Sequence, residues 1–328
     1  MQARDLTRPA IAFVVIVGLV VGASAVAPLV LGGGTPEVTN LAQQQTDADA
    51  VRVAAAEESG EITMDSDAES KTILIDQAHG NDLSDEKLST LVNTLVENGH
   101  EVRVVTQDQA RGEAWNESLR SADAFLVANP SQPYTPSQLA GVRAFNDAGG
   151  RVLLLSDPPS SGGSVISLLG VAVSQPSSGG PSLNSAFGVS AQSGYLFNMQ
   201  EYETNFQSVY ATPGSGSLSE GVDRAVFHDA AAVSTADGQT ALSTTEGTKL
   251  STTRRADTYA VAVQSGDVAM VGDTDFLAPT NAYVASNEAF IGNLADFLVS
   301  GQKTGNAPAP PSSGSPTGPT APTRPTAV

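Results

Sequence analysis

The chain has 328 residues, 40% of them hydrophobic, which supplies a core and excludes a wholly disordered polymer. Its 35 acids against 16 bases give a formal net charge of −19, a surface that repels phosphate and argues against nucleic acid as a partner. The absence of cysteine removes disulfides, thiolate nucleophiles and thiolate metal sites together.

Residues 10–31, AIAFVVIVGLVVGASAVAPLVL, carry no charge and follow a short head with Arg4 and Arg8. As a helix this run would span roughly 33 Å, the thickness of a bilayer core. The reading is a cytoplasmic head and single-pass membrane anchor with the acidic body outside the cell. The small residues Ala23, Ser24 and Ala25 allow the rival reading of a cleaved signal peptide. Residues 32–70 are rich in Gln, Ala, Asp and Glu with little apolar periodicity, as in a linker.

An α/β domain is expected over 71–302. Residues 72–76 (TILID) form a short apolar run of buried-strand type. Residues 85–97 are amphipathic at helical spacing behind Ser84 as N-cap, and Gly99 ends that helix. Strands follow at 101–105, 124–128 and 151–155, with a helix at 137–148. The alternation predicts a mainly parallel sheet covered on both faces, a three-layer sandwich. From 158 to about 255 the chain turns Ser-, Gly-, Thr- and Ala-rich, which reads as an excursion of short strands and loops. Residues 258–277 then give two strands around a Ser265-Gly266 turn, a hairpin at one side of the sheet, and 287–298 a closing helix. Residues 303–328 read as a disordered Pro/Thr/Ser tail without core-forming residues, resembling an O-glycosylated stalk. Asn116, in Asn116-Glu117-Ser118, is a candidate glycosylation site.

In a parallel sheet the carboxyl ends of the strands share one rim, where ligand crevices form. That rule gathers Asp76, His79, Gly80 and Asn81 after the first strand, Asn129 after the third, Asp157 after the fourth, and Asp273 and Asp275 after the last. Three readings of this set stay open. Asp76, His79, Asp157, Asp273 and Asp275 could surround a divalent cation, which hard carboxylates and one imidazole would satisfy. The set could hold a sugar or peptide by hydrogen bonds. Or Asp, Asn, Ser and Gly stand at strand ends only because they cap helices and turn chains. His100 and His228 have no comparable setting in the sequence. No G-x-S-x-G elbow occurs, and GSGSLSEG at 214–221 misses the dinucleotide and Walker patterns.

The stretches ILIDQAHGN, ADAFLVANPSQPYTPSQLAGVRAFNDAGGRVLLLSDP, VAMVGDTDFL and NEAFIGNLADFL resemble a DUF4350-like family of archaeal and bacterial domains of unknown function. The resemblance covers about residues 72–300. It implies a class-I-glutamine-amidotransferase-like, flavodoxin-type fold related to accessory domains of gliding-motility-type ABC transporters. Amidotransferases carry a cysteine on a strand-to-helix elbow. Here the fourth strand runs into Ser156-Asp157-Pro158-Pro159, so that activity does not transfer. The expected function is a non-catalytic, membrane-anchored extracytoplasmic binding or accessory module with no cofactor, partnered by the membrane and by transporter or envelope proteins. The alternatives are a metal-assisted hydrolase using Asp76, His79, Asp157, Asp273 and Asp275, and a structural cell-surface protein.

Lysine occurs only at Lys71, Lys87, Lys249 and Lys303, and an acid-rich, Lys-poor surface resembles those of proteins from salt-loving archaea. Salt would screen the repulsion among its carboxylates. The unfolding midpoint is therefore expected to climb as KCl is raised from about 0.1 to 3 M. A flat or falling midpoint in thermal melts would refute adaptation to brine.

Overall fold

Runs of Ile, Leu, Val and Ala make the central strands, and the two-residue period of a strand sends alternate side chains to opposite faces. The computed structural model describes residues 60–81, 85–158 and 182–309. Strand β1 (Thr72–Asp76), helix α1 (Asp85–Glu97), β2 (Glu101–Val105), α2 (Glu113–Arg120), β3 (Ala124–Ala128), α3 (Pro136–Asp147) and β4 (Arg151–Leu155) come first. The second half holds the short α4 (Leu183–Ala186), then β5 (Val189–Phe197), β6 (Ser208–Pro213), β7 (Ala225–His228), β8 (Ala231–Thr235) and β9 (Gln239–Thr244). It ends with β10 (Thr248–Leu250), β11 (Ala256–Asp257), β12 (Ala260–Ser265), β13 (Val268–Val271) and α5 (Asn287–Val299).

Nine strands form one sheet in the order β2-β1-β3-β4-β13-β12-β9-β6-β7, and four form a second, β11-β10-β5-β8. The pairs β2/β1, β1/β3, β3/β4 and β4/β13 are parallel. The pairs β13/β12, β12/β9, β9/β6 and β6/β7 are antiparallel, and so is every pair of the small sheet. This corrects the expected mainly parallel, flavodoxin-type sandwich: the protein is strand-rich, and its large sheet is mixed. The supposed excursion supplies β6, β7 and β9 to that sheet and β5, β8 and β10 to the second one. The hairpin β12–β13 forms as expected, but in the middle of the sheet rather than at its side. Antiparallel neighbours need only tight turns, whereas parallel ones need long crossovers, so the strand–helix alternation stops at β4 while the sheet continues. The fold class also included a membrane-spanning helix. Residues 10–31 lie outside the described residues, and among those no helix is long and apolar enough to cross a membrane.

Ile73, Ile75, Leu126, Leu153 and Leu155 pack on one face with Leu88, Leu91 and Leu95 of α1 and Phe290, Ile291 and Leu294 of α5. Leu74, Phe125, Val127, Val152 and Leu154 pack on the other with Trp115 and Leu119 of α2 and Leu139, Val142 and Phe145 of α3. Helix α2 is not foreshadowed in the sequence, since only Trp115 and Leu119 mark its buried side. Helix α3 opens on a capping box in which Thr135 accepts from the Gln138 backbone and Gln138 reaches back. Residues 60–70, the end of the segment read as a linker, have no regular secondary structure and lay Ile62, Met64 and Ala68 against the core. The N–H groups of Asp65 and Ser66 donate to the Asp296 carboxylate of α5 at 2.9 and 3.0 Å. Gly292 of α5 lets this strap lie close, because a Cβ there would collide with the Thr63 carbonyl oxygen.

Among the described residues the outer edge of β7 is closed by side chains rather than by another strand. Asn287 accepts from the Val226 N–H at 2.9 Å and donates to the Val226 carbonyl at 3.1 Å, and Asp273 accepts from the His228 N–H at 2.8 Å. An uncovered edge would invite pairing with another chain. Asn287 is fully buried, so Asn287→Ala strands a buried donor and acceptor and is expected to cost about 2–4 kcal/mol in urea unfolding. A loss below about 1 kcal/mol would mean that solvent takes over these bonds.

Candidate functional site

Because β1, β3, β4 and β13 run parallel, their carboxyl ends do lie on one rim, and each delivers a polar residue there. The structure sorts the expected residues into two groups. The first turns inward beside α2 and α3. Asp76, at the end of β1, is buried: its Oδ1 accepts from the Ala78 N–H at 2.9 Å, and its Oδ2 lies 2.8 Å from His79 Nδ1 and accepts the Tyr134 hydroxyl. The His79 ring stacks on Tyr134 with centroids 3.8 Å apart and meets Trp115 edge-on at 5.5 Å. Burial, then the neighbouring Asp76 carboxylate, pushes the Tyr134 phenol well above its ordinary value, so it remains a donor. Gly80 and Asn81 zip this loop to the one after β3. Ser131 donates to the Gly80 carbonyl at 2.9 Å, the Gln132 N–H to the His79 carbonyl at 3.0 Å, and Asn81 pairs with Pro130 in an isolated bridge while its amide reaches the Asp76 carbonyl.

The second group gathers the other acids beside α1. Asn129 has φ 47°, a left-handed conformation that Asn tolerates better than most residues. It binds Asp157 reciprocally: the Asn129 amide donates to Asp157 Oδ2, and the Asp157 N–H donates to Asn129 Oδ1, both at 2.6 Å. The Thr274 hydroxyl donates to the same Asp157 oxygen at 2.6 Å. Gly272 precedes Asp273 because β8 crosses there: the Ala231 N–H donates to the Gly272 carbonyl at 2.6 Å, and a Cβ on Gly272 would strike the Ala231 carbonyl oxygen. Asp273 is fully buried and accepts from the His228 and Asp275 N–H groups at 2.8 and 2.7 Å. Burial, then the Asp157 charge, pushes its carboxyl well above the usual carboxylate range despite these two donors.

Sequence reasoning missed Lys87, Tyr134, Thr274 and the His228–Asp229 pair. Lys87 projects from α1 to form an ion pair with Asp275. Burial alone would lower its ammonium pKa, but the Asp275 bond and the Asp275, Asp157 and Asp273 charges outweigh it and hold Lys87 above its ordinary value. His228, which had no setting in the sequence, ends β7 at this acid cluster. Its Nδ1 is 3.0 Å from the Ser208 hydroxyl, and burial lowers its pKa. Burial and the Asp275 charge raise the Asp229 carboxyl. Nothing in the sequence of α1 signals Lys87, because a lysine in the first turn of a helix ordinarily belongs in solvent.

Among the described residues no group of three or more His, Asp or Glu side chains is arranged to hold a metal ion. The carboxylates accept protein donors instead. Asn116 of α2 is half-buried; its Oδ1 faces Gly141 of α3 and has no hydrogen-bond partner.

The raised Asp273 value fixes a pH dependence. The native state keeps this proton to a higher pH than the unfolded chain does, so its contribution to stability is complete below the ordinary carboxylate value. That contribution is lost as pH rises through the folded value, by up to about 1.4 kcal/mol per pH unit. The unfolding free energy of wild type minus that of Asp273→Asn should fall across this interval in urea titrations at stepped pH. A difference independent of pH would show that Asp273 is ionised throughout.

Three comparisons bear on the fold and its family. No curated protein matches the chain. Among solved structures, the mmIFT52 N-terminal domain superposes with a TM-score of 0.53 at 12% identity, covering 69% of this chain and 97% of that one. At that identity the likeness concerns the fold alone. The family model described as Domain of unknown function (DUF4350) matches residues 88–295, from within α1 to within α5, a span that includes Asp157, Asp273 and Asp275 but not β1, Asp76 or Lys87, and the chain belongs to that family.

Proposed function

We propose that the chain is a non-catalytic binding or accessory module on the outer side of the cell membrane, working with an ABC-type transport system. The observation that supports this reading is that the rim carboxylates are engaged by donors of their own chain. Asp76, Asp157 and Asp273 each accept two or more hydrogen bonds from their own chain, and Asp275 is paired with Lys87. A carboxylate that acts as base, nucleophile or metal ligand must keep a lone pair directed at its reactant. Here Asp76 and Asp273 use both oxygens, and Asp157 its Oδ2, to join strand ends, a structural use. The leader-like apolar stretch 10–31 behind Arg4 and Arg8, with the Pro/Thr/Ser tail, supports export of the body.

The competing hydrolase needs a cation on the same acids, and the two separate by melting the full chain with Mg²⁺, Mn²⁺, Ca²⁺ or Zn²⁺ in concentrated KCl. An ion held at a hundred times its Kd adds about 2.7 kcal/mol, which is worth roughly 5–10 °C for a domain of this size. The expected result is no such shift, together with cross-linking of the chain to transport-system membrane subunits in intact cells. A rise of several degrees that Asp157→Ala abolishes would replace the accessory reading with the metal-dependent one.

A further inference from the structure

Five large hydrophobic side chains are exposed among the described residues, and three of them, Met199, Tyr202 and Phe206, stand in the single loop between β5 and β6. Their exposures of 64, 43 and 40% are unusual because the loop is built from within rather than left slack. Asn198, nearly fully buried, accepts at its Oδ1 from the Gln200 and Glu201 N–H groups at 3.0 and 3.1 Å. Its amide donates to the Glu246 carbonyl and to the Thr248 hydroxyl, both at 3.3 Å. Its own N–H donates to the Phe206 carbonyl at 2.8 Å, the Glu203 N–H donates to the Ser208 carbonyl at 3.0 Å, and Tyr202 pairs with Val209 as an antiparallel bridge. Phe206 meets Phe197 edge-on at 6.3 Å, and Phe197 lies 6.1 Å from Tyr195, so the exposed rings continue into an aromatic tract on the small sheet.

A loop pinned by one buried asparagine and still presenting Met, Tyr and Phe to solvent is pre-organised for contact: little ordering entropy remains to be lost on binding. The charges around it define the partner. Glu201, Glu203, Glu246 and Asp229 belong to the loop or to residues bonded to it, and they outnumber the two bases beside them: Arg224, which is already paired with Glu201 at 3.7 Å and lies over the Tyr210 ring, and Lys249, which stands opposite Phe197 across the β5–β10 ladder. An apolar centre with an acidic border fits basic residues around an apolar anchor. It does not fit a second copy of this chain, whose net charge of −19 would meet the same sign.

We propose that residues 198–207 form the docking surface for a partner-protein segment carrying an aromatic or long aliphatic side chain flanked by lysines or arginines. The proposal rests on the accessory-module reading and adds where, and to what chemistry, the module attaches.

The test is fluorescence anisotropy with the full chain and three labelled peptides: Lys-Trp-Lys-Phe-Lys, Glu-Trp-Glu-Phe-Glu and Lys-Ser-Lys-Ser-Lys. The first is expected to bind at least tenfold more tightly than either of the others, and Tyr202→Ser or Met199→Ser, exposed changes that leave the melting curve in place, should each weaken it several-fold. The combined Met199→Ser/Tyr202→Ser/Phe206→Ser chain should lose at least tenfold. Equal binding of the serine peptide, binding indifferent to the loop variants, or no binding of the first peptide would each overturn the proposal. So would sedimentation showing a dimer that the triple variant dissolves, which would make the occupant a second copy. The accessory reading fails separately: cross-links that persist in the triple variant keep that reading and reject the loop. Peptide binding without any transport-system cross-link does the reverse.

Discussion

The Asp157 carboxylate holds together the ends of three strands that would otherwise repel one another. It follows β4, takes the amide of Asn129 after β3 and the hydroxyl of Thr274 after β13, and returns its own N–H to Asn129. Parallel alignment is what creates the need. Strands pointing one way deliver Asp157, Asp273 and Asp275 to one place, and charges within a few ångströms at a partly desolvated rim interact by several kcal/mol unless matched. Lys87 is the matching cation that α1 brings to the cluster, and short neutral donors supply the rest.

The same acids reach beyond the rim. Asp273 is fully buried, burial and the Asp157 charge push its carboxyl well above the usual carboxylate range, and one of its oxygens closes the outer edge of β7 through the His228 N–H. Asn287 closes the neighbouring stretch of that edge at Val226. Rim chemistry and edge protection are therefore a single hydrogen-bond system, and a substitution at Asp273 perturbs sheet closure before it perturbs any ligand. Loss of activity in such a variant is weak evidence for catalysis, whereas a change in its pH dependence is specific to the carboxyl group.

The first half of the fold is legible in the sequence because its strands are buried on both faces and its helices are amphipathic, so TILID, AFLVA and RVLLL stand out between polar helical periods. The second half hides. QTALST and SVYATP are the seventh and eighth strands in the order of the nine-stranded sheet, yet they are made of small and hydroxylated residues whose burial comes from neighbouring strands rather than from their own hydrophobicity. The site divides along the same line. That Asp76, Asp157 and Asp273 share a rim follows from strand direction. That Asp76 turns inward to Tyr134 and His79 while Asp157 turns to Thr274 depends on which face each loop enters, and a list of strand ends does not contain it. Lys87 was unreadable for a related reason: a lysine in the first turn of a helix ordinarily opposes the helix dipole and belongs in solvent, unless acids from elsewhere are brought to it.

A surface so rich in carboxylates changes the meaning of an exposed apolar loop. On a weakly charged protein, Met199, Tyr202 and Phe206 would be an invitation to self-association, and such residues are usually buried or diluted with charge. At low ionic strength the charge of every other copy opposes that contact, so the loop can stay apolar there without closing on itself. The repulsion weakens in concentrated salt, where the Debye length falls to about 3 Å at 1 M, while burial of aromatic surface is strengthened by excluded salts. Attachment through this loop would then rely on shape and apolar contact at high salt, with lysines and arginines of the partner setting orientation and selecting against the chain's own acidic surface. Pinning by Asn198 suits those conditions, because a contact that can no longer draw on long-range charge depends on geometry fixed in advance.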